Sequence, residues 1–141
     1  MKTIETTLIL VKPDAVAEGL TGQVLHRLES NGLKILNCRM LRLSAALLQE
    51  HYAHLSHLPF FPEIEKFMSS GPVVAVALSG ENAIARVRDL LGPTDSTKAP
   101  KGTIRGDLGK DKMHNVLHAS DSPETAQAEL RRFFGSTEPK V

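Results

Sequence analysis

The chain has 141 residues and a formal net charge of +1, a size at which roughly two thirds of the extended surface is buried on folding without a disulfide or a structural metal. Balanced charge gives no support to nucleic acid or an anionic membrane as the main partner, so any anion site has to be local. No run approaches the roughly 20 apolar residues of a membrane span, Met1-Lys2-Thr3-Ile4-Glu5 lacks a signal peptide's apolar stretch, and a single Cys38 excludes an internal disulfide.

These features predict a cytoplasmic protein with one domain over residues 1–141, a core of about 4–134 and a short polar tail at 135–141. Cys38, set among apolar residues, is expected to be a buried thiol in a reducing compartment.

Thr7 to Val11 is a continuous apolar run stopped by Lys12-Pro13-Asp14, the pattern of a strand buried on both faces with Lys12 at its C-terminal end. Val24, Leu25 and Leu28 follow helical spacing between Thr21 and Asn31, and Gly32 stands where a C-cap would. Leu33 to Leu43 alternates as a long strand, with Leu33, Ile35 and Asn37 on one side and Leu36, Cys38 and Met40 on the other. Ser44 ends it and caps a helix expected to reach about His57, where Leu58-Pro59-Phe60-Phe61-Pro62 forces a turn into a short helix ending near Met68.

Val73 to Leu78, bounded by Gly71 and Gly80, is another buried strand, and Asn82 to Leu91 a helix with Gly92 behind it. Pro93 to His114 has no useful periodicity and reads as a long loop, partly ordered around Thr103-Ile104-Arg105; loops of this length are usually functional or disordered. Val116 to His118 is a short strand and Pro123 to Phe134 a helix capped by Ser122. The order of elements predicts an α+β ferredoxin-like sandwich, a four-stranded antiparallel sheet covered by helices, with the long loop before the last strand.

His118 lies between that strand and the helix start, where free N–H groups favour an anion. From the residues alone it is a nucleophile, a general base, a metal ligand or a filler of a strand end. Lys12, Arg88 and Arg105 come from a strand end, a helix and the long loop, and together with Thr94 are candidates to converge on one anion. Neither Gly-x-x-x-x-Gly-Lys-Ser/Thr nor Gly-x-Gly-x-x-Gly occurs, so the two commonest phosphate cradles are absent. His51, His54 and His57 recur every third residue, but no Cys or carboxylate joins them at ligand spacing, and a metal site is not expected there.

Several segments in order, Thr7 to Ala15, His51-Tyr52-Ala53, Pro59 to Pro62, Phe67 to Ala75, Gly102 to Asp107 and Asn115 to Ser122, make the chain similar to the nucleoside diphosphate kinase family over about residues 4 to 134. The resemblance implies ping-pong transfer of the terminal phosphoryl group from a nucleoside triphosphate, typically ATP, to a nucleoside diphosphate through a phosphohistidine on His118. It implies that Glu129 faces the other ring nitrogen, that Ser120 supports the site and that Tyr52 lies beside the histidine. Lys12, Arg88, Arg105 and Thr94 would hold the phosphates, Asn115 with Lys12 the ribose, and Phe60 would stack on the base.

Mg²⁺ would arrive on the nucleotide phosphates, with no metal held by the protein. A dimer-based homo-oligomer, a tetramer or hexamer, is implied as well. Lys112 stands where a small apolar residue often closes the base site, Ala119 where Gly is frequent and His114 where Arg is frequent; none of these removes a reacting group. The other classes open to this sequence are a non-catalytic nucleotide-binding module on the same fold and a phosphohistidine carrier charged by a protein.

Overall fold

The computed structural model describes residues 3–141, so the reading of Met1 and Lys2 lies outside it. Through its middle runs a four-stranded sheet in the order β2-β3-β1-β4, with β1 at Ile4–Val11, β2 at Lys34–Leu41, β3 at Val73–Glu81 and β4 at Leu117–Ala119. Neighbouring strands are all antiparallel. Hence β1 and β2 run parallel with one strand between them, as do β3 and β4, which is the expected ferredoxin-like arrangement.

Helices cover both faces, and that is why the two central strands read as unbroken apolar runs. Ile9 and Val11 of β1 meet Val24 and Leu28 of α2 (Thr21–Ser30) and Val87 and Leu91 of α5 (Ala83–Leu91) on one face. Leu8 and Leu10 point the other way, to Leu48 of α3 (Ala45–His51), Met68 of α4 (Phe61–Met68) and Leu130 and Phe133 of α7 (Pro123–Phe134). Each fully buried Leu or Val on these faces contributes about 1.5–3 kcal/mol by burial.

Several sequence expectations need correction. A short helix, α1 (Pro13–Ala17), follows β1 directly, with Pro13 in its first turn where the missing N–H costs nothing. The pairing of β2 with β3 slips between Ile35 and Asn37, so Leu36 is the extra residue of a bulge. Parity flips there: Asn37 leaves the Ile35 face, while Cys38 and Met40 join it. Cys38 is exposed, because β2 is an edge strand.

Helix α3 stops at His51, not His57. Ala53, His54, Ser56 and His57 are exposed and give the chain no face to bury. The backbone instead makes i to i+3 turns at Leu55 and Leu58 before Pro59. β3 continues through Gly80 to Glu81; a Cβ on Gly80 would lie 3.0 Å from Leu33, so the missing side chain makes room for that packing. The 93–114 stretch contains a 3₁₀ turn at Ser96–Lys98 and α6 at Ile104–Leu108, capped by the Thr103 hydroxyl. Finally β4 starts at Leu117, since Val116 has φ +78° and the Leu117 N–H donates to the Asn115 carbonyl at 3.0 Å in a three-residue turn.

Candidate active site

The last strand and the last helix place the histidine. β4 pairs with β1 so that His118 lies opposite Leu10, on the face covered by α7. Helix α7 is capped by Ser122, whose hydroxyl accepts from the Thr125 N–H, and two turns later it carries Glu129 inward.

His118 Nε2 lies 2.9 Å from both Glu129 oxygens, and the Ser120 hydroxyl donates to Glu129 Oε1 at 2.6 Å. Glu129 and Ser120 are buried and His118 partly exposed. Burial pushes the Glu129 carboxyl up, but the hydrogen bonds from His118 and Ser120 and the charge of nearby imidazole outweigh it and hold it below its ordinary value. An ionised Glu129 requires the proton on His118 Nε2, which leaves the Nδ1 lone pair free.

His51 completes this cluster from α3. Its ring stands edge-on to His118 at 4.7 Å, to Tyr52 at 4.8 Å and to Phe133 at 5.3 Å. Tyr52, half-buried, is thus one ring removed from His118, and its hydroxyl is pushed up to about 12 by burial and by Glu129. Ligand atoms of His51, His118 and Glu129 fall within 4.8 Å of one another. However, Arg132 donates to His51 Nδ1 at 2.9 Å, so a fixed positive charge stands beside any cation placed there. His54 and His57 are exposed and off the helix.

On the other side of β4 the cations gather. Arg105, buried, donates from Nε to the Asn115 carbonyl at 3.0 Å, from one terminal nitrogen to Leu117 at 2.8 Å and from the other to Gly92 at 3.3 Å. Arg88, on the last turn of α5, donates to the Ala119 carbonyl at 3.1 Å. The residues on each side of His118 are therefore held by guanidinium groups. Two N–H groups of Arg105 remain for another acceptor.

Lys12, at the end of β1, donates to Asn115 Oδ1 at 2.6 Å and to the Met113 carbonyl at 3.3 Å, with one N–H left over. Burial first, then Arg105, lowers Lys12 to about 8; burial and Arg88 lower Arg105 to about 10. Like charges this close, partly desolvated, form a site that an anion would relieve.

Asn115 is the hub of the loop. Its amide nitrogen donates to the Thr94 and Lys112 carbonyls, both at 3.0 Å, while its oxygen takes Lys12. One acceptor position on that oxygen is left for a ligand. Thr94 itself is exposed, and its carbonyl accepts from Asn115. Phe60, just before α4, is 48% exposed, which removes core packing as the account of that ring. His114 sits against Phe67 at 4.7 Å and shares Asp111 through its Nδ1 at 3.1 Å. Lys112 is exposed, and Asp95, Thr97, Asp111, Lys112, Met113 and His114 line an open hollow near it. Sequence reasoning missed Arg132 and the buried state of His51; an arginine on the polar-looking side of a helix carries no signal of what it will reach.

The family model for nucleoside diphosphate kinase matches residues 5–139. A nucleoside diphosphate kinase of Nitrosospira multiformis is 50% identical over 131 residues, covering 93% of each chain. Among solved structures, the nucleoside diphosphate kinase of Aquifex aeolicus superposes with a TM-score of 0.91 at 46% identity, over 97% of this chain and 99% of that one. One from Halobacterium salinarum, in complex with CDP, gives 0.91 at 41% identity over 96% and 91%.

Proposed function

Because the chain belongs to the nucleoside diphosphate kinase family, we propose that His118 is the residue that carries the phosphoryl group in its reaction. The protein is a nucleoside diphosphate kinase: it moves the terminal phosphoryl group of a nucleoside triphosphate to a nucleoside diphosphate by way of a histidine, with a divalent cation. The observation that carries the assignment of His118 is the chain Ser120, Glu129, His118, which fixes one ring nitrogen and leaves the other free.

In the first half-reaction His118 Nδ1 forms a bond to the terminal phosphorus as the bridging P–O bond breaks and the diphosphate leaves with the electron pair. Imidazole gains positive charge in this step, and ionised Glu129 stabilises it from Nε2. The second half-reaction reverses the roles: an oxygen of the incoming diphosphate attacks, and the P–N electron pair returns to Nδ1. Lys12, Arg88 and Arg105 offset charge on the phosphates, with Thr94 beside them. Asn115 and Lys12 meet the ribose, and exposed Phe60 stacks on the base, a contact any base can make. Tyr52 supports the histidine through His51.

Mg²⁺ comes bound to the triphosphate, typically ATP. The donor set agrees: Glu129 is committed to His118 and Ser120, and Lys12, Arg88 and Arg105 gather on the phosphate side. We also propose a dimer-based homo-oligomer, a tetramer or hexamer; the open edge of β2, where Met40 is 62% exposed, supports self-association. No helix among the described residues is long and apolar enough to cross a membrane. We take the chain as one domain over residues 1–141, working in the cytoplasm.

The test is incubation with ATP labelled in its terminal phosphate. An acid-labile phosphoenzyme that CDP or GDP discharges is expected, with no label on His118→Ala. Equal labelling of that variant would refute the assignment; nucleotide binding without labelling in the wild type would mark a binding module.

A further inference from the structure

Buried His51, beside the reacting histidine, has a cation, Arg132, as its hydrogen-bond partner among the described residues. The His51 side chain is 1% exposed and is faced by His118 from β4, by Glu129 and Arg132 from α7, by Phe133, and by Tyr52 and His54 from its own segment. Its Nδ1 accepts from Arg132 at 2.9 Å. The same Nδ1 lies 3.7 Å from Glu129 Oε2, the oxygen that His118 also uses. Arginine has only donors, so the His51 nitrogen it meets has to be an acceptor and the ring proton has to sit on Nε2.

We infer that Arg132 is a positioning residue that acts through His51: by occupying Nδ1 it holds His51 in the Nε2–H tautomer and so reserves Glu129 for His118. Without the guanidinium, a neutral His51 is free to place its proton on Nδ1 and donate to Glu129 Oε2 across the short remaining gap. The carboxylate would then be shared between two rings, and His118 would lose part of the group that fixes its own tautomer. Glu50 holds Arg132 from the solvent side, its Oε1 3.3 Å from Arg132 Nε.

Neutrality of His51 agrees with this arrangement. Burial first and His118 next, with Arg132 and His54 adding to the fall and Glu129 opposing it, hold His51 at about 3. The 3.7 Å approach to Glu129 is therefore not an ion pair. The inference rests on the reading of His118 as phosphoryl acceptor.

Histidine-labelled enzyme, with the His51 ring nitrogens assigned by ¹⁵N NMR, reads the tautomer directly. In the wild type Nδ1 of His51 is expected to show an acceptor shift; in Arg132→Met that nitrogen becomes protonated. Phosphoenzyme formation in Arg132→Met slows by about threefold to tenfold, the scale of one neutral hydrogen bond, with nucleotide affinity unchanged. Arg132→Lys, which keeps a donor, restores both the shift and the rate. Should Arg132→Met fail to fold, Glu50→Gln loosens the guanidinium from outside and is expected to move the same resonance part of the way. An unmoved His51 shift, or a rate in Arg132→Met equal to wild type, overturns the inference. That outcome leaves the His118→Ala labelling result intact, whereas labelling of His118→Ala sinks the underlying reading whatever Arg132 does.

Discussion

Replacing Glu129 by glutamine tests the charge behind the nucleophile with almost no change of shape. Both Glu129 oxygens lie 2.9 Å from His118 Nε2, and Oε1 takes the Ser120 hydroxyl at 2.6 Å. Glutamine keeps one acceptor and turns the other oxygen into a donor, so the two partners compete for what is left. More important, the positive charge that builds on the ring during attack loses its counter-charge. A hydrogen bond to a charged group is worth about 1.5–3 kcal/mol, and removing that much stabilisation from the transition state alone slows phosphorylation roughly 10- to 150-fold. Rapid-quench single turnover with labelled ATP measures this step apart from binding. Affinity for nucleotide is expected to hold, since Glu129 is buried and committed to His118 and Ser120. A variant within about twofold of wild type, or one whose loss lies wholly in affinity, would refute the reasoning.

The same variant sets a stability prediction. Because Glu129 is held below its ordinary value of 4.5, its ionised form stabilises the fold fully above that pH and less as pH falls through the lower folded value. Urea unfolding should therefore show the wild type losing ground to Glu129→Gln only below about 4.5. Lys12, lowered to about 8, is predicted to take up a proton when phosphates bind near or above that pH; calorimetry in buffers of different ionisation enthalpy reads the uptake, which should vanish in Lys12→Gln. Ser122→Ala removes the cap of α7 and should cost about 1 kcal/mol in urea melts; an unchanged midpoint would contradict the capping geometry. Glycines give a contrast. A Cβ on Gly106 would lie 2.0 Å from the Pro100 carbonyl, while one on Gly22 meets nothing within 4 Å. Gly106→Ala is expected to lose about 1–3 kcal/mol by overpacking and to weaken nucleotide binding with the loop. Gly22→Ala in α2 should gain about 0.5–1 kcal/mol, and thermal melts of the pair decide it.

Periodicity was enough to locate β1, α2, α5 and α7, because each buries a continuous face or carries its own cap: Gly32 and Gly135 have positive φ and Ser122 caps as its position suggests. The failures share a cause. Leu36 inserts a residue that only pairing with β3 reveals, and Cys38 turned outward because strand order decides which strand is an edge. Helix α6 is five residues long and held by the Thr103 cap and by Arg105 reaching three carbonyls, too short to show a period. At the site, His118 stood out from its place at a helix start, the resemblance supplied its role and Glu129, and the geometry added the pairing of Lys12 with Asn115. What no local pattern could reveal is the link from Arg132 to His51, since the two residues are 81 positions apart and either alone reads as an ordinary polar residue.

Strand β4 closes one side of the sheet, and it is only three residues long. The Ser120 N–H reaches Leu8 and the Lys12 N–H reaches Val116, so the carbonyls of Leu117 and Ala119 face away from β1. An outward row of this kind invites a strand from another molecule. Here Arg105 and Arg88 occupy both carbonyls, so the cations beside the histidine also take the acceptors a pairing strand would need. Variants that remove either guanidinium leave the matching carbonyl, next to His118, without that donor.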